Sequence, residues 1–152
     1  MEIRKANKFD ADYFISIVLK LQQAEHNEYV SNVNLNVDYL RNLFHEIIYG
    51  KGLAYIATDN GKTAGICVGL ISPNIWDPSV QVMHQLIIYV EEEYRYTHAA
   101  HEFISIYTSE GEELIKEGRI FKYTFVVSEP MFNLKLERFG YELKEKTWIG
   151  GI

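Results

Sequence analysis

Residues 80 to 127 constrain the fold more than any other part of the chain. Residues 80–90 form a long, almost wholly apolar run broken only by Gln81, His84 and Gln85, and residues 97–117 then follow helical spacing up to Gly118. Residues 120–127 are apolar again. An apolar run of this length reads as a strand covered on both faces, central in its sheet. A helix between two such strands is a crossover, which lays them parallel. The chain is therefore expected to be α/β or α+β, built on a mixed sheet.

The flanking segments add elements to that unit. Residues 2–6 read as a short strand, and Asp10 stands where it caps a helix carrying Phe14, Ile17, Val18 and Leu21 at helical spacing. A second helix is expected over 37–49, with Leu40, Leu43, Phe44, Ile47 and Ile48 on one face and Gly50 as its stop. The Asn-rich segment 28–36 has no period and reads as a surface loop. Residues 53–58 and 63–71 are β-rich and flank Asp59, Asn60, Gly61 and Lys62, whose Asn-Gly pair predicts an antiparallel hairpin. A short helix from Pro130 to Phe139, ended by Gly140, and a last strand over 141–149 complete the expectation.

Composition narrows the function classes. The 152 residues suit one domain spanning 1–152, and 47% hydrophobic with 14% aromatic content argues against disorder. Cys67 is the sole cysteine, so a disulfide scaffold is excluded and the cytoplasm is the default location. No apolar run approaches the roughly 18 residues of a membrane span, and residues 1–5 lack a signal-peptide core. With 21 acidic against 15 basic residues and a net charge of −6, the chain has no basic cluster for nucleic acid. Acidic groups at Glu91 to Glu93 and at Glu110, Glu112, Glu113 and Glu117 read either as solvated faces or as attractants for a cationic substrate. A second copy of the chain is an allowed partner.

The junction between the apolar run and its helix carries the chemistry. Val90, Glu91, Glu92, Glu93, Tyr94, Arg95, Tyr96, Thr97, His98, Ala99 and Ala100 turn a strand straight into a helix. Such a turn aims unpaired backbone N–H groups in one direction, an arrangement suited to phosphate, although a plain connection has the same outline. This segment is similar to the acetyl-CoA loop of the GCN5-related N-acetyltransferase family, with Arg95 at the Arg/Gln position and Ala100 at the final Gly/Ala position. Leu136, Glu137, Arg138, Phe139, Gly140 and Tyr141 resemble the family's aromatic-Glu-Lys-Leu-Gly-Phe segment. With the element order, the resemblance covers essentially the whole chain.

That resemblance implies a single-domain acyl-CoA N-acyltransferase fold, with a mixed sheet of about six to seven strands flanked by about four helices. It implies an enzyme that transfers an acetyl group from acetyl-CoA, as co-substrate, to a primary amine of a small molecule or protein. Backbone groups of Ile88, Tyr89 and Val90 are then expected to hold the pantetheine arm, and N–H groups of Arg95, Tyr96, Thr97, His98, Ala99 and Ala100 the pyrophosphate. The chain departs from the family at His98, where Gly is usual, and at Leu136, where many members carry the tyrosine that protonates the departing thiolate. The Asn that often opens the preceding helix is displaced, with Ser128 the nearest match and Asn133 a turn too late. These departures motivate the alternative of a catalytically impaired binding or structural module, and a longer acyl-CoA remains a third ligand.

His84 is the only side chain on the long strand of a type whose reference pKa lies near neutrality, which makes it the candidate base, with a hydrogen-bonded core histidine as the other reading. Glu91 to Glu93 are either a proton relay through water or solvated loop carboxylates. Tyr94, Tyr96 and Tyr123 are equivalent candidates for the acid. His98 and His101 lie i, i+3 without a third ligand in register, so no metal is expected, and Cys67 reads as core rather than nucleophile. Trp76 and Tyr55 are candidates for the acceptor side of the cleft, and the region 25–36 with the loop near Trp76 sets acceptor choice.

Overall fold

A computed structural model describes residues 1–23, 35–127, 135–145 and 148. Its elements in chain order are β1 (Glu2–Lys5), α1 (Ala11–Gln23), α2 (Val37–Glu46), β2 (Gly52–Asp59), β3 (Lys62–Pro73), β4 (Gln81–Val90), α3 (Ala99–Lys116) and β5 (Lys122–Thr124). The strands form one sheet in the order β1-β2-β3-β4-β5, antiparallel except for the parallel pair β4 and β5. The strand–helix–strand unit therefore forms as the apolar pattern requires. The hairpin forms with Asp59 opposite Lys62, and Asn60 and Gly61 both take positive φ, as a two-residue turn between twisted strands demands.

Two apolar layers sandwich the sheet. On one face Phe14 of α1 and Phe44 of α2 stack at 5.0 Å over Ile56, Ile66, Val68 and Ile87. On the other, Phe103, Tyr107 and Leu114 of α3 cover Tyr55, Cys67, Met83 and Val90. The close approach of α3 to β5 depends on Gly111, where a Cβ would stand 2.6 Å from the Tyr123 ring. No helix of the described residues is long and apolar enough to cross a membrane.

Four expectations are corrected. The sheet has five strands and the chain three α-helices among the described residues, in place of six to seven and about four. Of the expected helix over 130–139, the described part is a single 3-10 turn, Leu136–Phe139, and residues 130–134, with Ser128 and Asn133, lie outside the described residues. Residues 141–145 form no strand, because Tyr141 instead packs its ring against Tyr123 and Phe125 and joins its hydroxyl to Thr108 Oγ1 at 2.8 Å. Most of the 28–36 loop also lies outside the described residues.

The fourth correction concerns Asp10. Asn7 caps a 3-10 turn, Lys8–Asp10, that leads into α1, its side chain accepting from Phe9 N–H, while Asp10 closes a capping box by accepting from Asn7 N–H at 2.8 Å and pairs with Arg4 through both oxygens at 2.8 Å. Burial pushes this carboxyl up, but Arg4 and the Asn7 N–H outweigh that and hold it below its ordinary value. A lowered carboxyl contributes stability above its unfolded value of about 3.9 and loses it as pH falls through the folded value. Asp10→Asn is expected to cost about 1–2 kcal/mol in urea unfolding at about pH 7, with the gap closing at about pH 2. An equal gap at both would exclude Asp10 as the titrating partner.

Candidate functional site

The site begins where the sheet comes apart. β4 pairs with β3 along its whole length, but with β5 only from Val82 to His84, opposite Lys122 to Thr124. From Gln85 to Val90 it has no strand on its second edge among the described residues. Within this stretch Val68 faces Ile87 while Gly69 faces Gln85, which leaves Leu86 as the extra residue of a β-bulge. The bulge exchanges the faces: Met83 packs under α3, yet so do Ile88 and Val90, while Ile87 and Tyr89 pack toward α1 and α2.

Side chains take over from the sheet at the split. Val126 N–H donates to Gln85 Oε1 at 3.2 Å, and the Tyr107 hydroxyl donates to the Thr124 carbonyl at 2.8 Å, with the Met83 carbonyl at 3.4 Å. Beneath them the rings of Tyr107, Tyr123, Phe125 and Tyr141 meet edge to face at 5.6 to 6.2 Å. Burial pushes the Tyr107 phenol up, so it stays protonated and donates.

The loop after Val90 closes into a 3-10 turn at Glu92–Tyr94 and then enters α3. Its own turns absorb some of the expected phosphate donors: Arg95 N–H reaches Glu92 O at 3.3 Å, Thr97 N–H reaches Tyr94 O at 3.0 Å, and Ala99 N–H reaches Thr97 Oγ1 at 3.3 Å. Glu102 is the first α3 residue to donate along the helix, to His98 O at 2.9 Å. Among the described residues this leaves the N–H groups of Tyr96, His98, Ala100 and His101 without a protein acceptor, His101 being a donor that sequence reasoning missed. His98 sits at the N-cap with φ −81°, an ordinary value for a side-chain-bearing residue, and its ring is exposed. Arg95 folds back so that Nε donates to Val90 O at 3.3 Å, and Tyr96 is fully exposed.

Glu91 is not a free carboxylate. Lys20 Nζ lies 3.0 Å from both its oxygens, the Tyr13 hydroxyl donates to Oε1 at 3.0 Å, and the Tyr89 hydroxyl to Oε2 at 3.4 Å. The bond to Glu91 raises the Lys20 ammonium, and burial with Glu91 alongside pushes the Tyr13 phenol up. Lys20 and Arg95 also approach the Tyr89 ring, at 5.5 and 6.0 Å. Glu91 thus ties α1 to the end of β4, which counts against a relay role. Glu92 and Glu93 remain exposed.

The other candidates separate by their partners. His84 is half-buried, with Nδ1 3.1 Å from Thr124 Oγ1 at the last rung of the parallel ladder. Tyr123 commits its hydroxyl to Glu112 at 2.6 Å, and Leu136 offers no proton. Tyr55 is buried beneath α3 and donates to Glu110 at 2.5 Å, while Trp76 is 90% exposed ahead of β4, the opposite end of the strand from the loop. Glu113 pairs with Lys116 and Glu117 with Arg119, so the α3 acidic groups serve their neighbours. Among the described residues no three His, Cys, Asp or Glu side chains are placed for a metal, and the His101 ring meets that of Phe139 at 4.7 Å, tilted by 54°. Cys67 is fully buried, which pushes its thiol up.

A mixed sheet split beyond its parallel rung, with a loop and helix N-terminus at the carboxyl end of the central strand, is the fold of the GCN5-related N-acetyltransferases. Three solved structures illustrate the likeness. A predicted acetyltransferase with acetyl-CoA from Clostridium acetobutylicum is 18% identical, with 98% of this chain and 94% of that one covered at a TM-score of 0.70. Glucosamine-6-phosphate N-acetyltransferase from Arabidopsis thaliana is 16% identical over 98% and 96%, at 0.67. An acetyltransferase of Trypanosoma brucei is 16% identical over 99% of each chain, at 0.66. At these identities the likeness is one of fold. No family model matches the chain, and no curated protein matches it in sequence.

Proposed function

We propose that the chain, as one domain over 1–152, is an N-acetyltransferase that moves an acetyl group from acetyl-CoA to a primary amine of a small molecule or protein. One observation carries the reading: among the described residues, the unpaired edge of β4 from Gln85 to Val90 runs into a helix start whose N–H groups at His98, Ala100 and His101 are open. An unpaired strand edge accepts an extended amide-bearing arm, and a helix N-terminus accepts a pyrophosphate. From Val90 back to Leu86 is about 13 Å of strand, a span for the arm between pyrophosphate and thioester.

Acetyl-CoA supplies an activated thioester. Backbone groups of Ile88, Tyr89 and Val90 hold the arm, and the bulge at Leu86 re-aims the strand where the carbonyl is to be polarised. His84 lies two residues before the bulge and takes the amine proton. It does so at Nε2 when Nδ1–H donates to Thr124 Oγ1, since the opposite tautomer leaves Nε2 protonated. With Leu136 in place of a tyrosine and Tyr123 committed to Glu112, neither position supplies a proton to the departing thiolate. A thiol of pKa about 8.5 tolerates that. The same substitution favours the second reading, a catalytically impaired module that keeps the binding site.

Calorimetry with acetyl-CoA, followed by a screen of amine acceptors, tests both. Binding in the range of about 1 μM to 1 mM with turnover supports the enzyme, and binding without turnover the module. No binding overturns both. Because His98 already has an unstrained backbone and an exposed ring, His98→Gly is expected to leave acetyl-CoA affinity equal or higher. A fall of more than about tenfold, about 1.4 kcal/mol, would assign the imidazole a phosphate contact of its own.

A further inference from the structure

Parallel strands that have begun to pair ordinarily continue, because each further rung satisfies backbone groups that are otherwise orphaned. Here the ladder stops after three rungs, at His84 opposite Thr124. Two side chains meet the backbone at this end of the ladder. Gln85, one residue past the last rung on β4, receives Val126 N–H at 3.2 Å. Tyr107, fully buried on α3, places its hydroxyl between the strands, 2.8 Å from the Thr124 carbonyl and 3.4 Å from that of Met83.

We infer that Gln85 and Tyr107 are positioning residues that hold β4 and the segment after β5 apart, fixing the width of the crevice. Closing the sheet beyond Thr124 must first give up the bond from Val126 N–H to Gln85 and displace the Tyr107 hydroxyl from the Thr124 carbonyl, which offsets part of what each new rung would gain. The split is then a property of the chain before any ligand arrives. It lowers the cost of admitting an extended arm between the strands, because that arm need not first break a ladder. The phenol is fixed from below by the edge-to-face contacts of Tyr107 with Tyr123 and Phe125, at 6.2 and 5.9 Å. The part of this inference that concerns ligand affinity rests on the acetyltransferase reading; the geometry of the split does not.

The full chain is compared with Gln85→Leu, Gln85→Glu and Tyr107→Phe by amide hydrogen exchange and by calorimetry with coenzyme A. Gln85→Leu removes the acceptor at a half-buried position, and Gln85→Glu restores one. The expected result is that Val126 exchanges at least about tenfold faster in Gln85→Leu and that coenzyme A binds at least about tenfold more weakly, with the β2–β3 hairpin amides unchanged. Gln85→Glu recovers both, and Tyr107→Phe weakens coenzyme A binding in the same direction. Parental Val126 exchange, or parental coenzyme A affinity, in Gln85→Leu would overturn the inference. A parent chain that binds no coenzyme A removes the acetyltransferase reading, and the exchange at Val126 then decides the wedge by itself.

Discussion

Replacing Ala100 with glutamate is expected to abolish acetyl-CoA binding while leaving the fold intact. Ala100 is the second residue of α3, half-buried, and its N–H is one of the open donors at the helix start. A carboxylate there competes for those donors and sets a negative charge beside the pyrophosphate. Two unit charges about 5 Å apart at an effective dielectric of about 20 repel by about 3 kcal/mol, more than a hundredfold in affinity. The same position is a favourable one for an acidic side chain in the helix itself, by about 0.3–1 kcal/mol, so the melting temperature is expected to hold. Calorimetry with a thermal scan separates the two effects. Unchanged affinity with an unchanged melting temperature would move the pyrophosphate site away from this helix.

His84→Gln is the second large effect. Glutamine can keep a hydrogen bond to Thr124 Oγ1, which His84 now makes at 3.1 Å, but it cannot take up a proton at neutral pH. Loss of a general base costs about 10² to 10⁴ in rate, and turnover is expected to fall by that order with acetyl-CoA affinity nearly constant. Both rates are measured at saturating substrates from about pH 6 to about pH 9. A variant rate within about threefold of the parent would take His84 out of the mechanism. Glu91 is then a poor substitute, since Lys20 and Tyr13 occupy its oxygens, and the amine would have to arrive neutral.

What the sequence determined by itself was local. The Asn60-Gly61 turn, the run ending at Val90, the helix that follows and its stop at Gly118 are each written in neighbouring residues, and their order specifies a mixed sheet with one parallel pair. Where local pattern was the only guide to a tertiary matter, it failed. Residues 141–149 read as a strand, but Tyr123 of β5 and Phe125 hold the Tyr141 ring and Thr108 of α3 holds its hydroxyl. Asp10 sits where a cap belongs, but Asn7 caps and Asp10 answers to Arg4. Gln85 was visible as a polar break in an apolar run, and Tyr107 as one more large residue at helical spacing; neither showed a partner.

Tertiary structure alone decided the site. Glu91 meets Lys20 across 71 residues and Tyr13 across 78, Gln85 meets Val126 across 41, and His84 meets Thr124 across 40. The bulge at Leu86, which reassigns the faces of β4, has no signature in a run that is apolar on both sides. Periodicity reports which residues are to be buried and at what spacing. It carries no information about which carbonyl a buried hydroxyl will find, because that is fixed only when separate elements pack and every backbone group left without a sheet partner has to be answered by whatever side chain the fold has brought within reach.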